Sequence, residues 1–233
     1  MMLEKMDDFF TARLDGYDEH MKSMIEDGED SFYEYTALQL PQSGMANVLD
    51  LGCGTGLELE DYFKINPDAF VTGIDLTKAM LKELEAKFPD KELKLICGSY
   101  FSVPFGEGCY DAAVSVESLH HFSKEEKIPL YTKLKKALKP GGYFILTDYF
   151  ADLDEQEAFF RSELLRLKKE QGLKDDEFYH YDTPMTVEHE KEALLAAGFT
   201  AVEELKSWGT THTLKAAVCQ REPSLLTHKG KER

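Results

Sequence analysis

Residues 48–56 read Val48-Leu49-Asp50-Leu51-Gly52-Cys53-Gly54-Thr55-Gly56, an apolar run that passes directly into glycines at alternate positions. Val48, Leu49 and Leu51 suit a strand buried on both faces of a sheet. Glycine at 52, 54 and 56 lets the chain turn through conformations closed to other residues and lets backbone approach a ligand that a Cβ would hold away. The next strand-like run, Phe70-Val71-Thr72-Gly73-Ile74-Asp75, ends on a carboxylate. It lies about twenty residues on, where nucleotide-binding α/β units set an acid against ribose hydroxyls. An ionised carboxylate offers two acceptor oxygens to two adjacent hydroxyls.

Outward from this stretch, strand patterns near 47–51, 70–74, 93–97, 111–116 and 142–148 alternate with helical ones, which predicts right-handed crossovers and a doubly wound parallel sheet. Thr77 is placed to cap a helix carrying Met80, Leu81, Leu84 and Phe88 on its core side. Ser123-Lys124-Glu125-Glu126 has capping-box spacing, and Pro129 predicts a kink or restart soon after. Pro140-Gly141-Gly142 halts that helix ahead of Tyr143-Phe144-Ile145-Leu146. A helix over Asp154–Gln171 stops at Gly172, and an aromatic loop, Phe178-Tyr179-His180-Tyr181-Asp182, follows. Thr186 caps a helix ending at Gly198, and Thr200–Trp208 with Thr211–Cys219 forms a closing hairpin. Before the sheet, Phe9, Phe10, Leu14, Tyr17, Met21 and Met24 fall at helical spacing within Leu3–Ile25; Asp27–Asp30 is an acidic break, and Ser31–Leu40 is a helix stopped by Pro41. The expected organisation is a helical cap over 1–42, an α/β domain over 43–221 with a substrate-facing insertion at about 149–185, and a mobile polar tail over 222–233.

The 233 residues are 42% hydrophobic, enough for one domain with a real core, and carry a formal net charge of −17. That charge repels phosphate backbones and anionic lipid, so neither a nucleic acid nor a membrane is expected as partner. Lys133, Lys135, Lys136 and Lys139 lie beside Leu130, Leu134 and Leu138 and read as the solvated face of a helix. Cys53, Cys97, Cys109 and Cys219 lack metal-ligand spacing and read as reduced, mostly buried thiols. His180, Asp182 and His189 lack the spacing of a helical zinc site, so no metal is expected. The start has no basic region followed by a long apolar run, and a cytoplasmic monomer or homodimer is expected.

Dinucleotide folds use G-x-G-x-x-G, whereas these glycines read G-x-G-x-G behind Asp50. The phrase resembles motif I of the class I S-adenosylmethionine-dependent methyltransferases. Leu138-Lys139-Pro140-Gly141-Gly142-Tyr143-Phe144-Ile145-Leu146 resembles the phrase leading into that family's fifth strand. The likeness covers Asn47–Phe150 and continues more loosely to the end of the sheet. It implies an α/β doubly wound, mostly parallel seven-stranded sheet with an antiparallel last strand, and a helical N-terminal cap. The function implied is transfer of a methyl group from S-adenosylmethionine to a small molecule, releasing S-adenosylhomocysteine.

By the same resemblance Gly52, Cys53, Gly54 and Gly56 form the cofactor turn, Asp50 meets the amino end, Asp75 holds the ribose, and Leu76 and Met80 flank the adenine, with Met80 alternatively core. Where the family often has an aspartate after the third strand this chain has Gly98-Ser99-Tyr100, leaving Ser99 and Tyr100 as the adenine contacts. Tyr17 is a cofactor contact or packs the cap. Glu117, in Val116-Glu117-Ser118-Leu119-His120-His121-Phe122, contacts the cofactor or lines the acceptor site. His120 and His121 are candidate general bases, with positioning of a loop as the alternative. Tyr149, Tyr179, Tyr181 and Trp208 make an aromatic cage or pack the domain edge. The absence of Asn-Pro-Pro-Tyr argues against adenine-N6 and glutamine-amide methylation. Two other readings remain: a modified sulfonium cofactor, its added carboxylate met by Arg161 or Arg166, and a binding protein that keeps the cofactor pocket without catalysis.

Overall fold

The structure, a computed structural model, describes residues 1–23, 25, 31–174 and 177–219; Met24, the acidic break and the 222–233 tail lie outside the described residues. Its centre is a seven-stranded sheet of β1 (Asn47–Leu51), β2 (Phe70–Asp75), β3 (Leu93–Cys97), β4 (Tyr110–Val116), β5 (Leu138–Tyr149), β6 (Ala201–Trp208) and β7 (Thr211–Ala217), in spatial order β3-β2-β1-β4-β5-β7-β6. β1 pairs in parallel with β2 and β4, and β7 runs antiparallel to both β5 and β6. The strand order reverses direction between β1 and β4, and a doubly wound sheet opens a ligand crevice at the strand ends beside such a point.

Alternation along the strands divides the core between the two faces. Leu49, Leu51, Ala113, Phe144 and Leu146 pack on one side with α6 (Lys124–Ala137) and α8 (Val187–Ala196), through Leu130, Leu134 and Leu194. Val48, Val71, Ala112, Val114 and Ile145 pack on the other with α3 (Phe32–Leu38), α4 (Leu57–Ile65) and α5 (Lys78–Lys87). A buried hydroxyl chain ties α3 to the sheet: Thr36 Oγ1 lies 2.5 Å from Thr147 Oγ1, itself 2.8 Å from Thr213 Oγ1.

α6 runs without a restart through Pro129. The Ser123–Glu126 capping box fixes the start of α6, and buried Lys127, Leu130, Tyr131 and Leu134 anchor the helix on both sides of the proline. Lys127 Nζ meets Glu190 Oε2 at 2.5 Å, with both side chains essentially sealed from water, and the Tyr131 hydroxyl donates to the same carboxylate. Lys133 is likewise no solvated surface group, because its ammonium donates to the carbonyls of Tyr100, Phe101 and Val103 at 2.5, 3.0 and 2.8 Å and holds the turn after β3. Of the cysteines only Cys53 is buried; Cys97, Cys109 and Cys219 are exposed, since their stretches lie at strand ends and loops rather than within the core. Thr77 does not cap α5 with its side chain; its amide instead donates to Asp75 Oδ1 at 2.7 Å.

The N-terminal segment forms two short helices in place of one, α1 (Met6–Ala12) and α2 (Tyr17–Ser23), because Gly16 turns the chain at φ +75° between them. The segment is fastened to the loop that follows α7 (Asp154–Gln171): Met6 N donates to Phe178 O at 3.1 Å and His180 N to Glu4 O at 3.0 Å. α2 sits over the glycine turn, where Asp18 accepts from Thr55 Oγ1 at 2.5 Å and from Lys87 Nζ at 2.6 Å.

Replacing Lys127 by Met leaves the Glu190 carboxylate buried without its cation. The loss is expected to be about 3–5 kcal/mol of unfolding free energy, read by urea denaturation. Adding Glu190→Leu is expected to recover most of it, and an unaffected single variant would show that the pair is not holding α6 to α8.

Candidate active site

β1 ends in a turn with Gly52 at φ +74°, Gly54 at +47° and Gly56 at +73°, the left-handed region that favours glycine. The turn is held from below, as Gly52 N donates to Ile74 O at 2.8 Å and Gly54 N to Asp75 Oδ2 at 3.0 Å. A Cβ on Gly52 would lie 1.9 Å from Ser118 Oγ, so the Ser118 side chain packs directly on the backbone of the turn. A Cβ on Gly54 would meet nothing within 4 Å, because that glycine faces open space.

That space is a partly enclosed pocket at the strand ends. Of the residues expected from sequence, Tyr17, Gly52, Gly54, Asp75, Leu76, Met80, Ser99, Tyr100, Glu117 and His121 line it. Asp50, Cys53 and Gly56 stand behind the wall instead: Cys53 packs towards Gly73, and a Cβ on Gly56 would touch Leu84 and Phe88 at 3.2 Å. Met6, Phe10, Ser118, Phe122 and Phe178 line it as well, beside Thr77, Gly98 and Val116. The aromatic run at 178–181 and the helical spacing at Phe10 marked their segments, whereas nothing local in the sequence marks Ser118. Burial raises the Asp75 carboxyl above its ordinary value, opposed by the amides of Thr77 and Gly54. Among the described lining residues there are two carboxylates, Asp75 and Glu117, and no lysine or arginine.

Asp50 has a different neighbour from the one expected. It is 1% exposed, beside Glu58 at 4%, and neither Asp50 oxygen nor Glu58 Oε1 has a hydrogen-bond partner. Burial first, then the adjacent acid, pushes Asp50 well above the ordinary carboxylate range, and burial raises Glu58 as well. Two buried carboxyls this close favour retention of a proton, which gives one a donor and the other an acceptor.

At the far wall, Glu117 adopts φ +48°, a strained conformation for a residue with a side chain. Burial, reinforced by Asp148, pushes its carboxyl up to about 8. Glu117 and His121 also line a second, more open cleft of about 1340 Å³ with Arg13, His20, His120, Tyr149, His180 and Asp182. His120 Nδ1 lies 2.5 Å from Asp148 Oδ1, while Asp148 also accepts from Leu119 N at 2.8 Å and Tyr149 N at 3.0 Å. Against the pull of burial, Asp148 raises His120 to about 10, whereas burial and the adjacent His120 lower His121. Burial likewise lowers His180 to about 4.

The four aromatics do not form one cage. Tyr149 and Trp208 face a common opening, Tyr179 packs with Leu3, Leu164 and Leu167, and Tyr181 lies against that same cluster. Neither arginine considered for an added carboxylate lines the cofactor-sized cavity: Arg161 pairs with Glu126 at 2.9 Å, and Arg166 pairs with Glu163 and Glu170 on its own helix.

Residues 48–142 match the family described as methyltransferase domain. A tRNA (carboxymethyluridine(34)-5-O)-methyltransferase of Arabidopsis thaliana is 30% identical over 109 residues, covering 46% of this chain and 25% of the relative. A fatty-acid O-methyltransferase of Mycolicibacterium smegmatis is 30% identical over 116 residues, covering 50% of this chain and 41% of the relative. The chain thus spans less than half the length of either. Human N-acetylserotonin methyltransferase, solved in complex with SAM, superposes with a TM-score of 0.59 at 18% identity over 81% of this chain and 52% of its own, a likeness of fold.

The buried acid pair makes stability fall as pH rises. The folded pKa of Asp50 is raised, so the native state keeps a proton that the unfolded chain releases above about pH 4, and the pair's contribution diminishes from there upward. Asp50→Asn removes that titration. Denaturant midpoints of the variant are expected to vary less than wild type between about pH 4 and 8, with the variant gaining most at the alkaline end. Parallel pH profiles for the two proteins would contradict the assignment.

Proposed function

We propose that this chain, a class I S-adenosylmethionine-dependent methyltransferase by its matched domain and its sheet, transfers the methyl group of S-adenosylmethionine to a small-molecule acceptor. The observation that carries the reading is the placement of Asp75: its carboxylate anchors the glycine turn, ends β2 and faces a cavity at the point where the strand order reverses. The residues fit the cofactor. Asp75 offers acceptors to the ribose hydroxyls, Leu76 and Met80 supply an apolar edge for the adenine, and Ser99 and Tyr100 stand where its polar rim would lie. Gly52 and Gly54 leave room for the amino-acid end, with Tyr17 above it; Asp50, Cys53 and Gly56 support the turn from behind. A lining with two carboxylates and no ammonium or guanidinium favours a cationic ligand.

When bound, the sulfonium supplies an activated methyl group and a good leaving group. The chain's own contribution is to position the acceptor behind that methyl and to exclude water. Glu117 and His121 belong to both the cavity and the open cleft, so they mark the wall where acceptor and methyl would meet. His120, with one ring nitrogen on Asp148 and the other facing Asp182 at 3.5 Å, is a positioning residue. Residues of α1, α2 and the turn between them, with Tyr149, His180 and Asp182, line the cleft and would write acceptor identity, and the charge of −17 favours a small molecule over a nucleic acid. Among the described residues, no helix is long and apolar enough to cross a membrane.

The test is calorimetric titration with S-adenosylhomocysteine, with NADH as comparison ligand, followed by turnover assays with hydroxyl, thiol and amine acceptors. Binding of S-adenosylhomocysteine alone is expected, and Asp75→Ala is expected to weaken it by about 10- to 100-fold through loss of charged hydrogen bonds. Binding of NADH alone, or of neither, would overturn the reading. Cofactor binding without turnover on any acceptor would favour the binding protein that keeps the pocket.

A further inference from the structure

The open cleft contains a cluster that cofactor binding does not explain. His120 and His121 follow β4, and Asp182 lies in the loop beyond α7; the fold brings His121 Nδ1 to 3.2 Å and His120 Nε2 to 3.5 Å from Asp182 Oδ1. The three ligand atoms lie within 4.8 Å of one another. Asp182 Oδ1 is buried and faced by a third ring nitrogen, His180 Nε2 at 3.8 Å, while His121 Nδ1 also lies 3.4 Å from Tyr181 O. Once the ring nitrogens release their protons, as metal binding requires, His120 Nε2, His121 Nδ1 and Asp182 Oδ1 present three ligand atoms to a common centre.

We propose that His120 Nε2, His121 Nδ1 and Asp182 Oδ1 bind a divalent transition-metal ion, with a fourth position open to the acceptor cleft. The two separations from Asp182 Oδ1, 3.2 and 3.5 Å, suit a tetrahedral ion, whose bonds of about 2.0–2.1 Å separate ligand atoms by roughly 3.3–3.4 Å. The support behind the ligands is also right. His120 gives its other nitrogen to Asp148 at 2.5 Å, and Asp148 is fixed by the amides of Leu119 and Tyr149, so the ring is oriented as metal-binding histidines are by a carboxylate. Two imidazoles and one carboxylate select a zinc-like ion over magnesium or calcium, which take all-oxygen sets. Charge agrees: Asp148, Asp182 and Glu117 gather here, and Arg13, the only arginine or lysine among the described residues of the cleft, is engaged by Glu4 at 3.0 Å.

If the methyl-transfer reading holds, an acceptor hydroxyl or thiol at the fourth position loses its proton to solvent more readily on the ion. Its lone pair then forms the bond to the methyl carbon, and the electrons of the broken carbon–sulfur bond stay on sulfur. Metal binding itself does not depend on that reading.

The test uses the full chain with Cys97, Cys109 and Cys219 changed to Ser, stripped with chelator and titrated with cobalt(II) chloride. One equivalent is expected to bind with the visible absorption of a four-coordinate ion, zinc is expected to displace it, and two histidine rings are expected to show hyperfine-shifted proton resonances. Asp182→Asn, on a loop, is expected to weaken binding by about tenfold or more while leaving S-adenosylhomocysteine affinity unchanged. Absence of one-to-one binding, equal affinity in the Asp182→Asn protein, or shifted signals from no histidine would overturn the proposal. Failure of S-adenosylhomocysteine to bind wild type would count against the methyl-transfer reading alone.

Discussion

The site exists because two strand-end loops meet with only the small Ser118 side chain between them. Gly52 after β1 and Ser118 after β4 are so close that a Cβ at 52 would overlap the serine hydroxyl. That contact closes the floor of the cavity, and Ser115 Oγ, donating to Leu51 O at 2.8 Å, stitches the same two strands one step below. Farther out the crossovers leave in opposite directions, so the strand ends part and the crevice opens above the contact. Asp75 then joins the third element by accepting from Gly54, which makes one carboxylate both a support of the turn and a face of the cavity.

Floor and roof are held by different forces. The floor rests on strands whose apolar side chains are sealed on both faces, and its position is set by close packing. The roof is made of α1, α2 and the 177–182 loop, joined by backbone hydrogen bonds and by an ionic chain in which Lys87 bridges Asp18 and Glu60 while Lys22 reaches Glu60. Partly exposed ion pairs contribute little each, so the roof is drawn from the less stable end of the molecule. A rigid floor suits a fixed cofactor geometry, and a weakly fastened roof suits admission of an acceptor.

Periodicity made five strands and a closing hairpin legible because buried strands and crossover helices repeat over many residues, and the resemblance implied the seven-stranded sheet; the spatial order is read from the fold alone. The ligand-facing glycines and Asp75 were legible because their chemistry needs those residue types. What escaped depends on partners distant in sequence. Lys133 reads as surface until the turn at 100–103 presents three carbonyls to it, and Asp50 reads as a ligand contact until α4 brings Glu58 beneath it. Pro129 reads as a kink or restart because helix rules are local, whereas the packing that carries α6 through it involves Glu190, about sixty residues away. The histidine–aspartate cluster was invisible for the same reason, since its members come from the ends of β4 and the loop after α7.

The placement of buried charge separates structural from functional acids. Glu190 has Lys127 and Tyr131 as partners and lies between two helices, so its cost of burial is offset within the fold. Asp50 and Glu58, under the turn, lack any such cation, and Asp75, Glu117 and Asp182 face cavities instead of protein partners alone. A chain stabilised only for folding gains nothing from concentrating unmatched carboxyls at one end of its sheet, because each loses solvation without recovering it. The imbalance becomes favourable when cations enter from outside, and the two adjacent cavities meet at Glu117, the one non-glycine residue among those described that accepts a left-handed backbone. Strain, unmatched charge and open volume therefore coincide at one wall, where a residue chosen for stability alone would relieve all three.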